Sequence, residues 1–390
     1  MLALLDQGIK VDKYVAYEID KYAVKTATHN FPEIEQRGDV FDADFTEFKN
    51  FDYLMGGSPC TYWSIAQKNN RETEASGLGW ELFSQYVRAL KEAQPKYFIY
   101  ENNKSMSNAI RESITETFGF EPICINSALL SAQNRQRLYW VGKRNEDGTY
   151  SKVEIQQPED RGILLKDILE DGIVEKDKAY CLKHQAGNAR DYFKKHHTQI
   201  KFEPVYIGEV PNNKGTYRNG NQPYQQYRIY DTNAKSVAVT TCAITNIAEP
   251  VKVGEVKGGG QGNRIYSIEG KSVSQTATSG GWGSNTGLYA IPIEFVDGKP
   301  TKAVSGSDGK EYKVYEVKRG FITVNDVEYP IKLDDGFYII RKLSVLECQR
   351  LQTVPDWYDF SVVSDTQAYK MLGNGWTIVV ISYLLSHTLE

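Results

Sequence analysis

Cys60 ends the run Phe51-Asp52-Tyr53-Leu54-Met55-Gly56-Gly57-Ser58-Pro59-Cys60. A short apolar stretch feeds a Gly-Gly-Ser-Pro turn, where Gly and Pro enforce an abrupt change of direction. A thiol on such a turn is held where a substrate can reach it, and only an accessible thiolate attacks well. A lone cysteine on a turn is equally a small buried hydrophobe, so the case rests on its company. Tyr97-Phe98-Ile99-Tyr100-Glu101-Asn102-Asn103 is another apolar run, with a carboxylate at its exit. Gln133-Asn134-Arg135-Gln136-Arg137 sets two guanidinium groups ahead of Leu138-Tyr139-Trp140-Val141-Gly142. Tyr369-Lys370-Met371-Leu372-Gly373-Asn374-Gly375-Trp376 opens an apolar helix. A carboxylic acid can supply a proton to a reacting group, and nearby cations lower a thiol pKa.

These residues need a scaffold that brings distant segments to one edge. Tyr14 to Tyr17 predicts a strand ending at Glu18, and Lys21 to His29 a helix stopping near Pro32. Tyr53-Leu54-Met55 and Tyr97 to Tyr100 predict further strands, and Leu78 to Ala93 a helix closed by Pro95. Such alternation implies an α/β fold with a doubly wound, mostly parallel, Rossmann-like sheet. Ligands of such sheets bind beyond the carboxyl ends of the strands, so Glu18, Asp39, Cys60 and Glu101 are expected on one rim.

From about Gly148 to Gly336 the character changes to Gly, Asn, Gln, Tyr and Thr with short β-like pieces. Arg228-Ile-Tyr-Asp-Thr-Asn-Ala-Lys235-Ser-Val-Ala-Val-Thr-Thr is echoed by Arg264-Ile-Tyr-Ser-Ile-Glu-Gly-Lys271-Ser-Val-Ser-Gln-Thr-Ala. Two copies are too few for a solenoid and predict paired hairpins in a small β-rich domain. The whole chain carries a net charge of −4, but Lys183 to Gly280 holds 13 Lys and Arg against 7 Asp and Glu, a local +6. A solvated surface and a phosphate-contacting face are both open on charge alone. The five cysteines are scattered, with no Cys-x-x-Cys pair, which argues against a disulfide framework or a zinc site and for a reducing compartment. No run of eighteen apolar residues occurs, so no membrane helix is expected. Met1 to Asp6 lacks the basic start of a signal peptide.

The Gly-Ser-Pro-Cys turn, the Glu-Asn pair, the Gln-x-Arg-x-Arg run and the late Gly-Asn, in this order, resemble the C5-cytosine DNA methyltransferase family, most closely its phage and bacterial members. Arg341 to Pro355 resembles that family's penultimate block. The resemblance covers about residues 1–145 and 340–390. It implies a catalytic domain over 1–150, a target-recognition domain over 180–335, and a segment over 340–390 that completes the first. It implies S-adenosylmethionine as cofactor, double-stranded DNA as partner, no metal, and a monomer in the cytoplasm of a bacterium or phage-infected cell. A cognate restriction endonuclease is the further partner if the chain serves restriction-modification. Cys60 would add to C6 of the cytosine and Glu101 would protonate N3. Arg137 would orient the base, and Arg135 would support the site or a phosphate. Glu18 would take the cofactor's ribose, Asp39 and Leu82 its adenine, and Asn374 would close its pocket. The polar stretch Gln67 to Arg71 would close over a flipped nucleotide, or is a plain solvated loop.

The sequence departs from the family in two places. The family opens on a strand and a Phe-x-Gly-x-Gly-like loop, whereas Met1-Leu-Ala-Leu-Leu-Asp-Gln-Gly-Ile reads as the helix after that loop. Lack of that central strand would leave unpaired backbone groups and a hole in the core. Asn103 stands where the family has a small apolar residue. Two other readings remain: a DNA-binding relative that no longer turns over, and a tRNA cytosine-5 methyltransferase.

Overall fold

Short apolar and amphipathic runs alternate over residues 2–152, and strands and helices follow them. In chain order these are α1 (Leu2–Asp6), β1 (Val15–Ala16), α2 (Lys21–Asn30), β2 (Glu35–Gln36), β3 (Tyr53–Gly56), α3 (Gly77–Ala93), β4 (Tyr97–Asn103), α4 (Asn108–Phe118), β5 (Ile123–Asn126), β6 (Gln136–Arg144) and β7 (Tyr150–Lys152). This computed structural model describes residues 1–59, 62–64, 71–170, 206–209, 228–230, 250–256, 261–275, 286–293, 303–305 and 311–389. Asp20 starts α2 by accepting from the Tyr22 N–H, and Ser107 starts α4 by accepting from Ile110, satisfying donors a helix leaves free. α3 turns Phe83, Tyr86 and Leu90 inward onto Phe98 and Tyr100 of β4 and Phe118 of α4. Each such side chain contributes about 1.5–3 kcal/mol when fully buried.

The α/β layering expected from the alternation forms. The main sheet runs β3-β4-β6-β5, with β7 on β6. β3 and β4 are parallel, while β6 runs antiparallel to β4, β5 and β7. A parallel neighbour needs a crossover of a dozen or more residues. Residues 127–135, which join β5 to β6, are too few, so β6 reverses. β1 and β2 form their own parallel pair. Among the described residues β4 is the one strand that pairs with β3, whose four residues are half-buried.

The chain returns to this layer in α5 (Val345–Leu351), α6 (Asp365–Asn374) and α7 (Ile378–Ser386). Apolar α7 packs Val380, Ile381, Leu384 and Leu385 against Ala3 and Leu4 of α1 and against Ile99 of β4 and Val141 of β6. Lys370 of α6 pairs with Asp20 at 2.7 Å, and Asp359 meets His29 of α2 at 2.8 Å.

Between these parts lie β8 (Tyr206–Glu209), β9 (Arg228–Tyr230), β10 (Lys252–Glu255), β11 (Arg264–Ser267), β12 (Leu288–Ile293), β13 (Ala303–Ser305), β14 (Glu311–Lys318), β15 (Phe321–Val324), β16 (Val327–Pro330) and β17 (Gly336–Arg341). One sheet runs β10-β11-β12-β17-β14-β15-β16. Its two edges meet through a Gly254–Ile331 bridge and a 2.7 Å bond from the Lys332 N–H to the Val253 carbonyl. The sheet thus curls round its own apolar interior, including Val253, Ile265, Leu288, Val317, Ile322 and Ile331. Each copy of the internal echo supplies one strand of an antiparallel pair with the strand before it, β9 with β8 and β11 with β10. β10 and β11 are antiparallel, but β11 joins β12 in parallel. The echo also reaches further upstream than it reads in sequence. β8 pairs β9 with Glu209 opposite Arg228, as β10 pairs β11 with Glu255 opposite Arg264, and both pairs carry an irregularity one residue before the shared glycine.

The sheet domain is stitched to the segment that leads into β6. Asn134 and Ser272 exchange backbone bonds with Ser272 and Ala132, and buried Lys271 donates to the carbonyls of Ser131 and Ile163. Cys124 is disulfide-bonded. This corrects the expectation drawn from cysteine spacing, because separation along a chain says nothing of proximity in the fold. Among the described residues no helix is long and apolar enough to cross a membrane, and no group of three potential metal ligands occurs.

Candidate active site

All seven residues of β4 are buried, because it runs between β3 and β6. Glu101, 9% exposed, is a carboxylate in that layer and needs partners. Arg137, on the neighbouring strand, supplies one: its Nε lies 2.9 Å from Oε1. The Trp376 indole N–H supplies the other, donating to Oε2 at 3.0 Å. Each carboxylate oxygen therefore has its own donor, one on the neighbouring strand and one from near the end of the sequence. Removing one partner of so buried a pair typically costs about 3–5 kcal/mol. Arg135 does not reach the carboxylate. Buried at the start of β6, it donates to the carbonyls of Gly373 at 3.2 Å, Gly375 at 2.9 Å and Gln275 at 3.4 Å. It fastens the turn that carries Trp376. A site-supporting role fits this geometry.

The Gly56-Gly57-Ser58-Pro59 turn lies directly on β4. A Cβ at Gly57 would overlap the backbone carbonyl oxygen of Glu101, so glycine is required by close approach. Asn102 donates to the Ser58 carbonyl at 3.1 Å, and the Ser58 hydroxyl meets the Tyr100 phenol at 2.8 Å. Burial pushes the Tyr100 phenol up to about 12, although its bonds to Ser58 and Asn102 oppose the rise. It thus stays neutral, a fixed bolt between strand and turn. Asn103 is absorbed: its amide donates to Asn102 at 3.0 Å and its carbonyl accepts from Ser105 at 2.7 Å. Cys60 lies outside the described residues, as do Gln67 to Asn70. Trp63 and Arg71, on either side of residues 65–70, are tied together. Trp63 donates to Glu72 at 2.9 Å, and Arg71 donates to the Trp63 carbonyl at 3.2 Å and the Ser105 carbonyl at 2.6 Å.

The chain that carries this turn and this doubly held carboxylate has relatives among known proteins. Residues 2–390 match the family described as C-5 cytosine-specific DNA methylase. This chain belongs to that family. Methylases of this kind transfer methyl groups to cytosine in DNA. The chain is 27% identical to the orphan methyltransferase M.Rho11sI of Bacillus phage rho11s, over all of this chain and 95% of that one. It is 28% identical to the orphan methyltransferase M.SPRI of Bacillus phage SPR, over all of this chain and 94% of that one. In fold it is similar to a mutant DNMT2 of Spodoptera frugiperda, with a TM-score of 0.52 at 14% identity, covering all of this chain and 96% of that one.

Elsewhere on the methylase, Glu18 is exposed just past β1, with Oε1 accepting from the Asp20 N–H at 2.8 Å. The Asp20–Lys370 pair sets α6 beside it, and exposed Asn374 lies one turn beyond Lys370. Exposed Asp39 caps a short turn by accepting from Phe41 at 3.0 Å. Arg88 of α3 holds that turn through the carbonyls of Val40 and Ala43, and Leu82 lies half-buried two turns earlier on the same helix. Two apolar side chains accompany the carboxylates in the open: Ile19 is 76% exposed and Phe41 44%. Exposed carboxylates beside exposed apolar faces fit a ribose diol and a purine ring. The sequence reading passed over Ile19, Phe41 and the donor role of Trp376. An apolar residue directly after the acid that ends a strand was the available signal for Ile19.

Proposed function

We propose that this methylase transfers a methyl group from S-adenosylmethionine to C5 of a cytosine in a specific duplex DNA sequence, with the base turned out of the helix and joined transiently to Cys60. Cytosine C5 is a weak nucleophile. Addition of the Cys60 thiolate to C6 makes C5 enamine-like while Glu101 delivers a proton to N3, so the ring carries no net charge. S-adenosylmethionine, when bound, supplies the electrophilic methyl. Loss of the C5 proton to a base, departure of Cys60 as thiolate and return of the N3 proton to the Glu101 carboxylate then restore the neutral aromatic ring. Glu18 would take the ribose hydroxyls, Asp39 and Leu82 the adenine with Ile19 and Phe41 at its faces, and Asn374 would close that pocket. The target atom is inaccessible inside a duplex, so extrusion of the base, at a few kcal/mol, is part of the reading. Residues 180–335, with their local positive balance, would read the sequence.

The observation that carries this reading is the Glu101 carboxylate, held by Arg137 and Trp376 where the turn before Cys60 packs on its own backbone. Duplexes containing 5-fluorocytosine test it, because fluorine blocks the final elimination. The intact protein with S-adenosylmethionine should form a denaturation-resistant adduct, and Cys60→Ala should not. An undiminished adduct in Cys60→Ala would place the nucleophile elsewhere.

A further inference from the structure

We infer that Trp376 is a positioning residue for Glu101, an inference that rests on the acid role proposed for that carboxylate. With Arg137 alone on Oε1, the carboxylate could swing about its last torsion and exchange oxygens. The indole N–H on Oε2, 3.0 Å away, removes that freedom. It fixes the carboxylate plane, which decides where a proton is offered.

The indole is itself anchored. Half-buried Trp376 packs in the cluster that holds α7 against α1. The turn before it is gripped by Arg135 at the Gly373 and Gly375 carbonyls. Just after it, Thr377 donates to Gln352 at 2.8 Å and meets the Ser127 hydroxyl at 2.8 Å. Packing alone would be served by Phe, but only Trp combines that apolar body with a ring donor at this reach. Arg135 also holds the Gln275 carbonyl of the sheet domain. The residue that holds the latch in place is thus in contact with the part of the chain proposed to read DNA.

Trp376→Phe keeps the bulk and deletes the donor. It should lower kcat about 10- to 100-fold, or about 1.4–2.7 kcal/mol in the barrier, with KM for duplex DNA and for S-adenosylmethionine within about twofold of wild type. A purely structural role would not produce that split. In nitrogen-15-labelled protein the Trp376 indole resonance, assigned by its loss in Trp376→Phe, should move in Glu101→Ala. If Glu101→Gln abolishes transfer while Trp376→Phe matches wild type in kcat, the latch is refuted and the acid role stands. If Glu101→Gln also retains turnover, the acid role itself has failed. Should Trp376→Phe not fold, the resonance decides, assigned then by its loss in another Trp376 variant that folds: an indole signal indifferent to Glu101→Ala overturns the inference.

Discussion

Gly57→Ala tests whether the thiol-bearing turn is placed by contact with the carboxylate's strand. Gly57 has ordinary backbone torsions, so alanine is not excluded by conformation; the obstacle is space. A methyl carbon there would fall well inside 3.0 Å of the Glu101 carbonyl oxygen, and that oxygen belongs to backbone in the middle of a sheet. Turn and strand must therefore part by on the order of 1 Å, because a strand bonded on both sides gives less than a turn. Overpacking of this kind costs about 1–3 kcal/mol of stability. The functional cost should be larger, since a 1 Å misplacement is worth about 10²-fold in rate. The expected result is a modest fall in Tm and a roughly hundredfold slower single-turnover methylation at saturating cofactor and DNA. Gly57→Ala methylating at the wild-type rate would show that the turn is not located by this contact.

Asp20→Asn keeps a good helix cap but loses the charge that faces Lys370. The Lys370 ammonium, with backbone N–H donors, holds the Asp20 carboxyl below the usual carboxylate range. A depressed folded pKa adds stability above the unfolded value, about 3.9, and that increment is lost as pH falls through the folded value. Denaturant titrations should show Asp20→Asn less stable at pH 7, by no more than about 1 kcal/mol for so exposed a pair, with the gap closing as pH falls through the folded value; a gap that does not narrow with acid would assign the effect to something other than charge. Exchanging residues 180–335 for the matching segment of a relative should change which DNA sequence is methylated, and bisulfite sequencing of treated DNA reads the outcome. Persistence of the original site would put recognition outside the segment.

The strands and helices around the site were legible because each is a local pattern. The apolar run Tyr97 to Tyr100, with an acid at its exit, needs no knowledge of its neighbours to be read as a buried strand. The expected helix over Leu78 to Ala93 differs from α3 by one residue at its start. Glu101 and Arg137 were legible as a motif, and their pairing follows from strand register, with Asn103 opposite Arg137. Other features depend on non-local geometry. Nothing in Gly373 to Trp376 announces that an indole from the far end of the chain meets Glu101. The Gly254–Ile331 closure joins two edges separated by most of a sheet. The upstream half of the echo was hidden because Ile-Gly-Glu and Val-Gly-Glu are too short to stand out until pairing aligns them.

The hydrogen bond between Glu101 and Trp376 spans 275 positions of sequence. At roughly 5–20 residues per second on a ribosome, about 14–55 s separate the synthesis of the carboxylate from that of its second donor. For most of that interval the nascent chain carries the thiol turn, the acid strand and Arg137, yet lacks α6, α7 and the indole. No fragment released before Trp376 has the carboxylate held at both oxygens. The timing of translation thus withholds the finished site until the whole sheet domain has been made.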